Sequence, residues 1–280
     1  MEKKSKNRIW ELDALRGLCI LLMLFDHFMF NLSHMVPYVW YDKLATSTLL
    51  EGAVSFARDY WALPLRNDFV WQFVVGLFFF ISGVCTEFSR SNAMRAVKLT
   101  LVALLITVVT GTLDHVFEST SYLITAGVIH TFATCALVHA IITVACTTSS
   151  VKVCNLQIKI KHICFFAVAV TGVILAVIAP NVAPSKSYFA FLFGFPATGF
   201  RSADYIPVLP WISVFMAGAM LSTLLYREKR SHLKRLDGKW NRPLCFVGRT
   251  SLWFYVFHQP VIYALTGLIG LILFGELRIF

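Results

Sequence analysis

Seven apolar runs, most of them close to twenty residues long, divide this chain of 280 residues. About 20 helical residues cross the hydrocarbon of a bilayer. Lipid offers no hydrogen bonds, so the backbone of a crossing segment must satisfy itself, and a single run of that length does so as helix. The runs predict spans at approximately 14–36, 69–88, 97–113, 122–146, 162–180, 206–226 and 244–274. The last is long enough to tilt, break or extend past the bilayer. Composition agrees, with 58% hydrophobic and 14% charged residues, against about 25% charged in a soluble domain. The expected fold is all-α: a polytopic transmembrane helix bundle of about seven spans, forming a single domain over residues 1–280.

The net charge of +10 is distributed unevenly. Most Lys and Arg fall in KKSKNR at the start, SRSNAMRAVK, VKVCNLQIKIKH and REKRSHLKRLDGKWNR, which occupy alternate connecting segments. That is the positive-inside pattern, and it predicts a cytoplasmic N-terminus. Basic segments of this kind lie against anionic headgroups, so membrane lipids rather than nucleic acid are the expected partners. The N-terminal charges run straight into the first span without a small-residue cleavage site, so that helix is expected to be retained. All seven cysteines lie in apolar runs or basic segments, and none in an expected outer loop. They read as small core residues. No CxxC pair or zinc spacing occurs, so no metal is expected.

Polar residues inside the first run carry the chemical signal. On a helix advancing about 100° per residue, Arg16 and His27 are nearly eclipsed, and Asp13, Asn31 and His34 fall within about 40° of the same line. Asp26 lies off this stripe by about 100° on the same arithmetic. Lipid cannot face the stripe cheaply, so it must face protein or a wet cavity. Single intramembrane histidines usually join helices, and His139 fits that role. A whole stripe, with His115, His130 and His258 near other apolar stretches, points instead to proton transfer, for which imidazole is suited near neutral pH. Ser82-Gly83 in FFFISG permits close helix packing or a backbone approach to a ligand. Asp204, in DYIPVLPW at the outer start of the sixth span, is placed either to favour that helix's N-terminus or to serve catalysis. Arg249 sits near the cytoplasmic entrance of the last span, with His258 deeper in. The outer segment 37–68, rich in Tyr and Trp, suits an interfacial piece or lid, and 181–205 suits a re-entrant one.

WELDALRGLCILLMLFDHF, LFFFISG, GVIHTF, DYIPVLPW and GRTSLWFYVFHQP, in that order from residue 10 to about 265, resemble the bacterial branch of the heparan-α-glucosaminide N-acetyltransferase catalytic domain family. The resemblance implies a membrane enzyme that takes acetyl from cytoplasmic acetyl-CoA and acetylates an amine or hydroxyl of a sugar or glycan on the far side. It implies a bacterial inner-membrane location. Lysosomal members use a histidine near the outer end of the first core helix; His27 is the favoured match and His34 the competing one. On this reading His27 is the general base, with Asp26 or another carboxylate orienting its ring. Arg16 and Arg249 meet the phosphates of acetyl-CoA. His258 and His130 line the acyl passage or hold the acceptor, and Asp204 joins them at the acceptor side. Two other functions fit the residues: an acyltransferase carrying a different acyl group to an envelope or lipid-linked glycan, and a proton-coupled transporter using the histidines as a relay.

Overall fold

A computed structural model describes residues 9–118, 120–146, 150–153, 156–178, 190–197, 199–226 and 229–278. It is built of helices: α1 (Trp10–Phe30), α2 (Val36–Val39), α3 (Thr48–Ala62), α4 (Trp71–Val84), α5 (Asn92–Val116), α6 (Val128–Ala145), α7 (Ile160–Ile178), α8 (Trp211–Leu225), α9 (Arg242–Arg249) and α10 (Ser251–Phe274). A short antiparallel hairpin, β1 (Ser150–Val153) with β2 (Leu156–Lys159), sits in the third basic segment. Among the described residues, six helical stretches are long and apolar enough to cross a membrane: Trp10–Val39, Arg66–Phe88, Asn92–Val116, Val128–Ala145, Ile160–Ile178 and Ser251–Phe274. The chain is an integral membrane protein of the polytopic helical class.

The sixth expected span, 206–226, is shorter than its apolar run. Its helix covers only Trp211–Leu225, about 22 Å at 1.5 Å per residue. Pro207 and Pro210 resist helix, and Ile206 instead donates its N–H to Ala126 O at 2.8 Å. The last expected span, 244–274, is broken in two. Thr250 (φ −105°, ψ 17°) leaves helical geometry between α9 and α10. Of the suggested re-entrant segment, 181–189 and 198 lie outside the described residues, and Ala190–Phe193 forms a single tight turn.

Two compact units result, one of residues 1–78 and 230–280, the other of 79–229. In the first, α1 and α9 cross at paired glycines. A Cβ on Gly17 would lie 2.0 Å from Leu244 O, and one on Gly248 would lie 1.8 Å from Asp13 O. Only glycine lets the backbones approach so closely. Glu11 accepts the His232 N–H at 2.8 Å and Trp10 donates to Leu233 O at 3.2 Å, fixing the N-terminal end of α1. Toward the other end, Met29, Leu32, Val36 and Trp40 pack with Leu50, Val54 and Ala57 of α3. Ser47 caps α3 by accepting the Leu50 N–H. Within the segment 37–68, α3 buries Leu50, Val54 and Ala57 on one face and leaves Leu49 and Phe56 exposed on another.

The second unit repeats the glycine device. A Cβ on Gly83 would lie 2.0 Å from Phe215 O, and one on Gly218 would lie 2.2 Å from Phe80 O. Of the two roles open to Ser82-Gly83, packing is therefore the one observed. Phe79 stacks on Phe132 at 3.9 Å and on Trp211 at 5.7 Å. His139 packs flat on Phe165 at 4.7 Å, as expected of a residue joining helices. Cys19, Cys135 and Cys245 are buried, in keeping with core packing. Cys154 lies outside the described residues.

Candidate active site

Two histidines meet in the first unit. His27 of α1 donates from Nδ1 to Met23 O at 2.9 Å, and His258 of α10 donates from Nδ1 to Tyr255 O at 2.5 Å. A carbonyl oxygen only accepts, so each neutral ring keeps its proton on Nδ1 and presents a lone pair at Nε2. The ring centroids are 4.6 Å apart and the planes nearly perpendicular, at 85°. His258 is only 8% exposed, and no described group donates to its Nε2. An unsatisfied buried acceptor costs about 1–3 kcal/mol, a cost that a substrate donor would remove. Chemically, the pair offers two ring nitrogens that can accept.

Asp26, one residue earlier, serves a different face. Its Oδ1 accepts from Tyr60 Oη at 2.9 Å and Arg66 Nε at 2.8 Å, and its Oδ2 from Arg66 Nη2 at 2.7 Å. Arg66 spends Nη1 on Asn67 Oδ1 at 2.7 Å and lies 3.6 Å over the Trp61 ring. The carboxylate expected to orient His27 is instead the anion of a nearly buried bidentate ion pair, and a backbone carbonyl orients the imidazole. The reason is the helical angle, since neighbours on a helix diverge by about 100°. Burial first, then the Asp26 carboxylate, raise the Tyr60 pKa above its ordinary value and keep its hydroxyl a donor. Arg66 and Tyr60 escaped the sequence reading because 37–68 read as an interfacial segment. The signal was there: an intramembrane carboxylate calls for a cation.

The two candidates for the lysosomal-type histidine are separated by a local change of helix. Asn31–Met35 form a π turn. Such a turn closes over one more residue than an α turn, so each residue advances by less than 100° and His34 swings off the His27 line. It stacks on Phe30 at 4.7 Å, meets Trp61 edge-on at 5.4 Å, bonds Ser33 Oγ through Nδ1 at 2.6 Å, and is exposed. Toward the N-terminal end of α1, Arg16 donates to Gly248 O at 3.4 Å and lies 3.9 Å from Asp13. Gly248 precedes Arg249, the last residue of α9, so the two arginines read as phosphate ligands belong to one neighbourhood.

His130 and Asp204 fall in the second unit. His130 Nε2 bonds Thr107 Oγ1 at 2.8 Å, while Thr107 donates to Ile124 O at 2.8 Å. The Asp204 Oδ2 accepts the Val128 N–H at 3.2 Å. It caps α6, not the α8 helix that follows it in sequence. Ser202 Oγ accepts the N–H groups of Thr125 and Ala126, and Thr131 donates to Ile206 O, so residues 202–206 are sewn to the start of α6. His115 is exposed at the end of α5. Among the described residues no group of three or more His, Cys, Asp or Glu is placed to hold a metal ion.

These features define a class: an integral membrane protein with a pair of histidines packed together between α1 and α10. A family model, heparan-alpha-glucosaminide N-acetyltransferase, catalytic, matches residues 8–260. The chain belongs to that family and is a membrane acetyltransferase. No curated protein and no solved structure matches it significantly.

Proposed function

We propose that the protein moves acetyl from acetyl-CoA, supplied on the cytoplasmic side, to an amine or hydroxyl of a sugar or glycan on the other side of a bacterial inner membrane. The observation that carries this reading is the His27–His258 pair, with both Nε2 atoms left as acceptors. The nucleophilic N–H or O–H of the acceptor gives its proton to His27 Nε2 as it attacks the thioester carbonyl. The tetrahedral intermediate collapses, the C–S bond breaks, and the imidazolium returns the proton to the departing thiolate. Free CoA and the acetylated acceptor result. His258 Nε2 accepts a second donor from the acceptor and holds it against the base. Arg16 and Arg249, at the inner end, receive the CoA phosphates. Arg16 precedes His27 by 11 residues, about 16 Å of helix, a gap an extended pantetheine arm covers.

Purified protein supplied with radiolabelled acetyl-CoA and glucosamine should release labelled N-acetylglucosamine. His27→Ala should abolish transfer while CoA still raises the melting temperature of the variant. Turnover by His27→Ala within a few-fold of the parent would remove His27 from the mechanism.

A further inference from the structure

Helix α9 and the turn before it lie outside the membrane-crossing stretches, the last of which begins at Ser251. Residues 230–249 hold six Lys or Arg and one acidic residue, Asp237. Lys234, Arg235, Lys239 and Arg242 are exposed, and no described carboxylate forms an ion pair with any of them. Asp237 accepts from Asn241 Nδ2 at 3.0 Å. Among these cations stand large apolar side chains that no protein covers: Leu233, Leu236, Trp240 and Phe246. On α9 itself Arg242, Phe246 and Arg249 recur at i, i+4 and i+7, so they share one face. That face is exposed, while Cys245, Val247 and Gly248 are buried on the other, toward α1. Trp240 turns its polar atom inward. Its Nε1 donates to Leu236 O at 2.8 Å, Trp10 Nε1 donates to Leu233 O, and the two rings meet edge-on at 5.8 Å. The Trp240 ring, 62% exposed, therefore offers its surroundings hydrocarbon and not its N–H. Trp253 and Phe257 in the first turns of α10 are exposed as well, so the lipid-facing surface of that crossing begins within a few residues of α9.

We infer that residues 233–246 form an in-plane anchor that binds acidic phospholipids. Its unpaired cations take headgroup phosphates, and Leu233, Leu236, Trp240 and Phe246 enter the boundary between headgroups and acyl chains. Segments rich in Lys and Arg, with Trp, Phe and Leu among them, lie in that boundary. Long cationic side chains reach from it to the phosphates while their stems stay in hydrocarbon. Each cation held near an acidic leaflet strengthens attachment roughly fivefold. A soluble phosphate compound would engage the cations and leave the four apolar side chains in water, whereas a phospholipid satisfies both. The anchor does not depend on the acetyl transfer proposed above.

Native mass spectrometry of the full-length purified protein, titrated with phosphatidylglycerol or with phosphatidylcholine of the same acyl chains, reads the preference directly. The parent should retain phosphatidylglycerol about tenfold more tightly, or better. Lys234→Gln, Arg235→Gln and Lys239→Gln combined, all at exposed positions, should bring the two lipids within about twofold of each other. Leu233→Ser with Leu236→Ser should weaken both lipids together, and as a separate variant it keeps the test alive if the first fails to fold. An undiminished phosphatidylglycerol preference in the triple variant would overturn the anchor. So would a triple variant that binds lipid as the parent does but is no longer stabilised by CoA, because its cations would then serve a soluble phosphate compound. A triple variant that changes from dimer to monomer with its lipid preference intact would give this face to a second copy of the chain and overturn the anchor as well.

Discussion

At the scale of single residues, Asp26 and His27 divide what the sequence places side by side. His27 is held by its own helix, through the Met23 carbonyl. Asp26 is held by Arg66 and Tyr60, and its side chain is only 17% exposed against 9% for Arg66. Removing one member of a buried ion pair leaves the other charge uncompensated, at a cost on the order of 3 kcal/mol. Asp26→Asn should therefore lower the melting temperature in detergent by several degrees, and its loss of activity should follow its loss of fold. Arg66→Met combined with Asp26→Asn should recover much of that stability, because the stranded cation is then gone. A stable Asp26→Asn with depressed kcat would instead return Asp26 to the catalytic step.

At the scale of elements, the α1–α9 crossing is decided by two hydrogen atoms. Alanine at Gly17 or Gly248 puts Cβ inside backbone carbonyl oxygens that cannot move aside. Overpacking of this kind costs typically 1–3 kcal/mol, and the Arg16–Arg249 neighbourhood shares the crossing, so Gly17→Ala should lower both the melting temperature and CoA affinity. Gly52, in α3 with nothing within 4 Å of its Cβ position, supplies the opposite sign. Gly52→Ala should leave activity alone and raise stability slightly, by up to about 1 kcal/mol of helix propensity.

A second element contact responds to pH. Arg278 pairs with Asp42 at 2.6 Å and Glu276 at 2.5 Å, Lys43 reaches Glu276 at 2.9 Å, and Arg278 lies 5.0 Å over Trp40, which itself fills the notch at Gly270. Hydrogen bonds from Arg278 lower the Asp42 pKa below its ordinary 3.8, and bonds from Lys43 and Arg278 lower that of Glu276 below 4.5. A lowered carboxylate pKa stabilises the fold fully above the unfolded value and loses that contribution as pH falls through the folded one. The clamp should therefore be indifferent to pH between about 6 and 8 and loosen below about 4.5. Arg278→Gln should remove that acid-side step from the melting-temperature profile. An unchanged step would assign it to other carboxylates.

At the scale of the whole molecule, orientation follows from charge. Reporter fusions at residues 50 and 118 should score external, and those at 92, 155 and 235 internal. A reversed result at 155 or 235 would break the alternation of basic segments from which the cytoplasmic N-terminus is argued.

The apolar runs alone determined the class, because a bilayer accepts few solutions for a segment of that length and the hydropathy is written residue by residue. The order of five motifs identified the family. His27 and His258 were legible as intramembrane titratable groups near Arg-Gly and His-x-Pro phrases. Their contact was not, because 231 residues of chain separate them and only packing closes that distance. Helical periodicity assigned His34 to the same line as His27 until the π turn at Asn31 changed the angle, a choice of backbone that propensity does not encode. Asp26 could be seen to need a partner, but which one depended on where α3 docked. The break at Thr250, the proline-shortened α8 and the capping of α6 by Asp204 have the same origin. In each case contacts from distant parts of the chain, not local preference, decided the conformation or the partner.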